Sequence, residues 1–282
     1  MLLHFKAFLV TLVFLIMSEV VIFEENFYSE IALLYLVFSL LVIWPFVRML
    51  RFLALPVFIG IGALSLLVLV DGLQEKQIII FLVAITFYLA LLAAFRLMKY
   101  NCDQTAQGML NFATIIAMFL WFVAGFGWYF NLYYSQILPI DVENWMLVGV
   151  MMFVSFFITL PTFLLATASC QTLRFRYHGK NKGVSYINKR AVSPTSINFR
   201  PVVFLVIIIT LIIGQLVWVL SFWPFGYLTT GAALLIIYFI FWDTVRNFIQ
   251  GKLRRNILIM NGLLAFFPLL ILLFTANWRL SY

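Results

Sequence analysis

Residues 171–200 read QTLRFRYHGKNKGVSYINKRAVSPTSINFR, a polar stretch set between two long apolar runs. It carries Arg174, Arg176, Lys180, Lys182, Lys189, Arg190 and Arg200, and no Asp or Glu. Short Lys/Arg-rich loops beside membrane helices resist translocation, so this one is expected on the cytoplasmic face. The side of every other connection then follows from the number of helices between them.

The surrounding composition says why a membrane is needed at all. The 282-residue chain is 65% apolar and 10% charged, against about 45–50% and about 25% in soluble domains. Folded in water, such a chain would leave large apolar patches exposed and would aggregate. The net charge of +8 lies mostly in connections beside apolar runs. Anionic lipid headgroups are therefore the expected partners at the cytoplasmic face, at about 1 kcal/mol per basic residue near the surface, and nucleic acid is not expected.

A helix that crosses a hydrocarbon core of about 30 Å needs about 20 largely apolar residues. Nine segments qualify: 5–23, 31–47, 52–70, 77–97, 109–130, 145–168, 201–221, 225–242 and 256–275. The second and eighth are short for a crossing. With the N-terminus cytoplasmic and the C-terminus outside, sixteen of the eighteen Lys and Arg residues fall on the inner side. Lys76 and Arg279 are left outside with Glu24, Glu25, Glu30, Asp71, Glu75, Asp141 and Glu143. Eight or ten crossings would split the strongly basic segments between both faces, which the orientation rule disfavours. The expected fold is thus an all-α polytopic transmembrane bundle of about nine helices. It has one integral membrane domain: residues 1–170 with six helices, the basic loop 171–200, and residues 201–282 with three more. The first run is read as an uncleaved helix, and the setting as a plasma membrane, the bacterial inner membrane.

Details of the connections add to this. The segment DTVRNFIQGKLRR at 243–255 places Val245, Phe248 and Ile249 at helical spacing among polar residues, so it continues the eighth helix, with Gly251 marking its end. Cys102 and Cys170 fall at cytoplasmic helix ends and are expected as free thiols. Trp44 and Trp242 are each followed four residues later by an Arg, the pattern of an interfacial Trp with a snorkelling cation.

Candidate functional residues are few. Ionisable groups within a bilayer are costly and mark function, and Glu19, in the first helix beside Ser18, is the clearest. On the sixth helix Ser155, Thr159, Thr162, Ala166 and Ser169 recur by fours and threes, lining one face, with Pro161 on the same helix. Such a face serves either helix packing or a polar cavity. On the seventh helix Thr210 and Gly214 form a small-xxx-small pair, and Gln215 requires a partner in hydrocarbon. Contact among the first, sixth and seventh helices would gather Glu19, Ser155, Thr159, Thr162 and Gln215 into one polar intramembrane cluster. Arg174, Arg176, Lys180, Lys182, Lys189 and Arg190 are the candidate docking set for anionic lipid or a protein partner in a membrane complex.

Enzymatic signatures are absent from the sequence. There is no G-x-S-x-G nucleophile turn, Walker loop or Asp-rich pair of motifs, and His4 and His178 have no Cys or His at ligand spacing. No catalytic residue, metal or cofactor is expected. The leading expectation is a non-enzymatic protein, either a permease-like carrier of a hydrophobic or lipid-linked molecule or a membrane scaffold subunit of a larger complex. The alternative is a membrane-embedded transferase or hydrolase acting on a lipid substrate, with Glu19 or Asp243 as base. Asp243 is expected to pair with Arg246 three residues on, which counts against that alternative.

Overall fold

The computed structural model describes residues 2–24, 27–43, 50–100, 103–135, 144–178, 199–223 and 225–275. Among them the chain is entirely helical: α1 (Leu2–Phe23), α2 (Tyr28–Ile43), α3 (Leu50–Leu69), α4 (Leu73–Tyr100), α5 (Gln104–Ser135), α6 (Asn144–His178), α7 (Phe199–Leu220), α8 (Tyr227–Ile249) and α9 (Arg255–Thr275). Each covers one of the nine apolar segments. Seven are long and apolar enough to cross a membrane, while α2 and α3 offer shorter apolar stretches, Tyr28–Phe38 and Leu55–Leu69.

The eighth segment extends past its apolar run, as expected, because the helix runs on through the polar stretch to Ile249. It ends where Gly251 takes a φ of 65°. There the Gly251 N–H donates to the Phe248 carbonyl and the Lys252 N–H to the Asn247 carbonyl, each at 2.9 Å, which is the paired bonding of a Schellman cap. The basic loop, by contrast, starts later than residue 171, since α6 continues to His178. Gln, Leu and Arg are good helix formers, and the first Gly of the stretch comes only at 179.

Every helix packs on its sequence neighbours, as short connections require. Beyond those pairs, α5 lies against α3 and α8, α3 also against α1 and α6, α1 against α4, and α6 against α8. The middle of the bundle is therefore α3, α5, α6 and α8, with α9 outermost on α8. At the crossing of α5 and α8 the backbones nearly touch: a Cβ placed on Gly231 would stand 2.9 Å from the Val123 backbone nitrogen. At α6 and α7 the contact is softer, with Gly214 facing the Met152 sulfur at 2.6 Å from an added Cβ. The expected packing role of the Thr210–Gly214 pair is thus seen, with both residues buried.

Polar side chains inside the bundle mostly satisfy themselves. Thr11, Ser18, Thr86, Thr114 and Thr210 each donate to the carbonyl four residues earlier, at 2.8–2.9 Å. Between helices, Tyr28 and Ser65 share a 2.6 Å hydrogen bond, Tyr35 donates to the Pro56 carbonyl at 3.1 Å, and Trp121 donates to the Phe58 carbonyl at 2.8 Å. At the start of α5, Asp103 accepts from the Thr105 N–H at 2.9 Å as an N-cap and lies 3.9 Å from Arg96.

Candidate functional site

The seam between α6 and α8 holds a polar column of linked side chains. Thr159 and Thr162 are three residues apart on α6, and Tyr238 and Trp242 four apart on α8, so both pairs lie on facing stripes. All four side chains are buried. The Thr159 and Tyr238 hydroxyls share a 2.9 Å hydrogen bond. One turn along, the Trp242 indole N–H donates to the Thr162 hydroxyl at 3.2 Å, and that hydroxyl donates in turn to the Thr159 carbonyl at 2.7 Å. Tyr238 is held from the far side by an edge-to-face contact with Phe122 of α5, with ring centroids 6.0 Å apart.

The column continues to the end of α8 as charge. The Arg246 guanidinium lies over the Trp242 ring, 5.2 Å from its centroid, a contact worth about 0.5–2 kcal/mol depending on solvation. Asp243 is expected to pair with Arg246; its charge does act on the guanidinium, but the two form no ion pair within 4 Å. Its Oδ2 instead accepts from Asn247 Nδ2 at 2.7 Å and from Asn261 Nδ2 of α9 at 2.6 Å. A carboxylate with two amide donors so near is already engaged, leaving Arg246, half-buried, with no ion pair among the described residues. Lys252, Arg254 and Arg255 follow, all exposed.

At the other end of the column, one turn before Thr159, stands Ser155. Its hydroxyl is fully buried and meets no hydrogen-bond partner among the described residues. Most buried polar atoms are bonded, so Ser155 is the exception among the described buried side chains, whose other hydroxyls have found carbonyls or one another.

Of the expected cluster, Ser155, Thr159 and Thr162 share the buried face of α6, but the other two members are elsewhere. The neighbours of α1 are α2, α3 and α4, not α6 and α7. Glu19 accepts a 3.1 Å hydrogen bond from Gln77 of α4. Gln215 is exposed on the outer side of α7. Helix order in space decided this, and periodicity along one helix does not encode it. Of the docking set, Arg174 and Arg176 lie on the last turns of the α6 backbone, while Lys180, Lys182, Lys189 and Arg190 lie outside the described residues.

Tyr238 and Trp242 are the functional candidates that the pattern of the sequence hides. Trp242 resembles an interfacial anchor, yet its ring is in the core and its N–H bonded. The available signal was the four-residue spacing of two aromatics carrying O–H and N–H groups, opposite two threonines at compatible spacing. Among aromatics near helix ends, Trp145 and Phe222 are exposed, whereas Tyr129 turns inward and donates to Asn144 Oδ1.

These features define an all-helical chain with seven helices fit to cross a membrane and a polar seam among α5, α6 and α8. Residues 189–275, which carry α7, α8 and α9, match a family model described as a protein of unknown function (DUF5656). No curated protein and no solved structure matches the chain.

Proposed function

We propose that this is a multi-pass protein of a plasma membrane, the bacterial inner membrane, with nine crossings, a cytoplasmic N-terminus and an external C-terminus. Its function is that of a non-enzymatic, permease-like carrier of a lipid-linked molecule with an anionic headgroup. The observation that carries this reading is Arg246: a half-buried guanidinium laid on a buried indole, with Asp243 acting on it only at a distance and no ion pair within 4 Å among the described residues. A guanidinium in that position offers planar, paired donors to a phosphate. Lys252, Arg254 and Arg255 add positive field beside it. The Thr159–Tyr238–Thr162–Trp242 column and the unpaired Ser155, all buried between α6 and α8, place polar groups from Arg246 toward mid-span, which a headgroup would reach only if α6 and α8 part.

The enzyme alternative loses support because both carboxylates named for it are engaged, Glu19 by Gln77 and Asp243 by two amides. The scaffold reading keeps one observation in its favour, the outermost helix α9, whose apolar surface is left largely uncovered.

Native mass spectrometry of protein extracted gently from its own membrane separates the readings. The carrier reading expects a retained phospholipid or lipid-linked phosphate, with occupancy falling severalfold in Arg246→Gln. Equal retention in that variant, or a stoichiometric protein partner in place of lipid, overturns it. Orientation has its own test: an impermeant thiol reagent outside intact cells is expected to spare Cys102 and Cys170, and labelling of either reverses the assignment.

A further inference from the structure

The face of α7 turned away from the bundle carries an unsolved polar group. Val202, Val206, Ile209, Ile213 and Val217 are buried on the side packed against α6 and α8. The opposite side exposes Phe204, Ile208, Leu211, Gln215 and Trp218, which follow one another by alternating fours and threes. Any outward helix face repeats near that spacing, so spacing alone names no partner. Gln215 does, because it makes no hydrogen bond to any described residue and stands within an apolar span, Arg200–Leu220.

Its position forbids an easy escape. Gln215 lies five residues, about 7.5 Å of rise, from the end of the helix at Leu220. That nearer end is the C-terminal one, and side chains on a helix lean toward the N-terminus. The amide therefore leans toward the middle of the span and away from the closer headgroups. Lipid tails offer no donor or acceptor, and an unpaired amide there costs several kcal/mol.

We infer that α7 is the seam of a homodimer in which Gln215 of one copy pairs with Gln215 of the other. Every copy of a membrane protein has the same topology, so two α7 helices meeting across a two-fold axis along the bilayer normal run parallel. The two amides then stand at equal depth. A carboxamide carries a donor and an acceptor, so two of them satisfy each other with two N–H···O bonds. A single polar residue in an otherwise apolar seam also fixes register. No other class of partner is assured an amide at that depth, and the inference does not depend on the carrier reading.

The test uses the full chain in lipid vesicles, counting subunits by single-molecule photobleaching across a dilution series. The wild type is expected as a dimer at high density, and Gln215→Leu, on an exposed site that leaves the core untouched, is expected to weaken dimerisation about threefold to tenfold. Gln215→Asn, which keeps the amide, is expected to recover part of the loss. In a Cys102→Ser, Cys170→Ser background, Leu211→Cys and Trp218→Cys are each expected to crosslink copy to copy, and Phe81→Cys on the exposed side of α4 is not. Unchanged dimerisation in Gln215→Leu overturns the inference. So does a monomer at every density, or crosslinking of Leu211→Cys to a different protein.

Discussion

Of the four helices that pack on α8, α5 and α9 are held in opposite ways. Against α5 the backbones come together at Gly231 and Val123, and Tyr238 meets Phe122 edge to face. Against α9 there is a polar tether, Asn261 donating to Asp243, with Ala265 buried near it and most other side chains of α9 exposed. The contrast shows what makes an inside when the solvent is itself apolar. Lipid gives a leucine no reason to prefer protein, so close approach of small residues and pairing of polar groups do the sorting. The α5–α8 contact uses the first device, with an aromatic contact beside it, and the α8–α9 contact uses mainly the second at one place.

The largest expected effect breaks the tight contact. Gly231→Val places its branched side chain against the Val123 backbone, which has no rotamer to yield. About 3 kcal/mol or more of destabilisation is expected, at the upper end of overpacking costs. Reversible unfolding in mixed micelles measures it, and a loss under 1 kcal/mol shows that α5 and α8 do not cross there. Next comes the tether. Asn261→Leu removes one of the two donors to Asp243, at about 2 kcal/mol for a hydrogen bond to a charged group. Amide hydrogen exchange is expected to rise across α9 and to stay unchanged in α5. Unchanged protection in α9 means that something other than Asp243 holds it.

The same contrast explains how much could be read beforehand. The positions of all nine helices followed from apolar run length, and the cap at Gly251 and the hydroxyl face of α6 followed from local pattern. Which face points inward did not follow. α7 buries Val206, Ile209 and Ile213 and exposes Phe204, Ile208 and Leu211, the same residue types on both sides, so hydrophobic periodicity holds no inside or outside. The polar residues should have supplied the missing mark, but their partners sit on distant helices. Glu19 found Gln77 on α4, Thr159 found Tyr238 on α8, and Gln215 makes no hydrogen bond to any described residue. Short connections predict that neighbours in sequence touch, and they say little about α3 meeting α6 or α5 meeting α8.

A smaller effect is expected within the seam. Tyr238→Phe deletes the hydroxyl shared with Thr159. Interhelical hydrogen bonds in membranes average about 0.6 kcal/mol and reach about 1.7. The low end applies, because the freed Thr159 hydroxyl can turn to the carbonyl four residues back, as Thr11, Thr86, Thr114 and Thr210 already do. A loss well above 1.7 kcal/mol in the same unfolding measurement means that the phenol also supports Trp242 and Thr162 as a cooperative network.

The smallest effect is the most informative about α9. A Cβ added to Gly262 meets nothing within 4 Å, whereas one added to Gly231 meets backbone at 2.9 Å. Gly262→Ala therefore changes only the helix's own preference, and Ala exceeds Gly there by about 1 kcal/mol in water. In a lipid-bathed helix the backbone is already held by its internal bonds, so the gain is expected to shrink to a few tenths of a kcal/mol. A null or slightly stabilising result, set beside a clear loss for Gly231→Ala, confirms that α9 presents this face to lipid. A loss at Gly262 matching that at Gly231 requires another helix lying against α9 in the membrane. That outcome would move the search for function from the seam of α6 and α8 to a surface where a second protein docks.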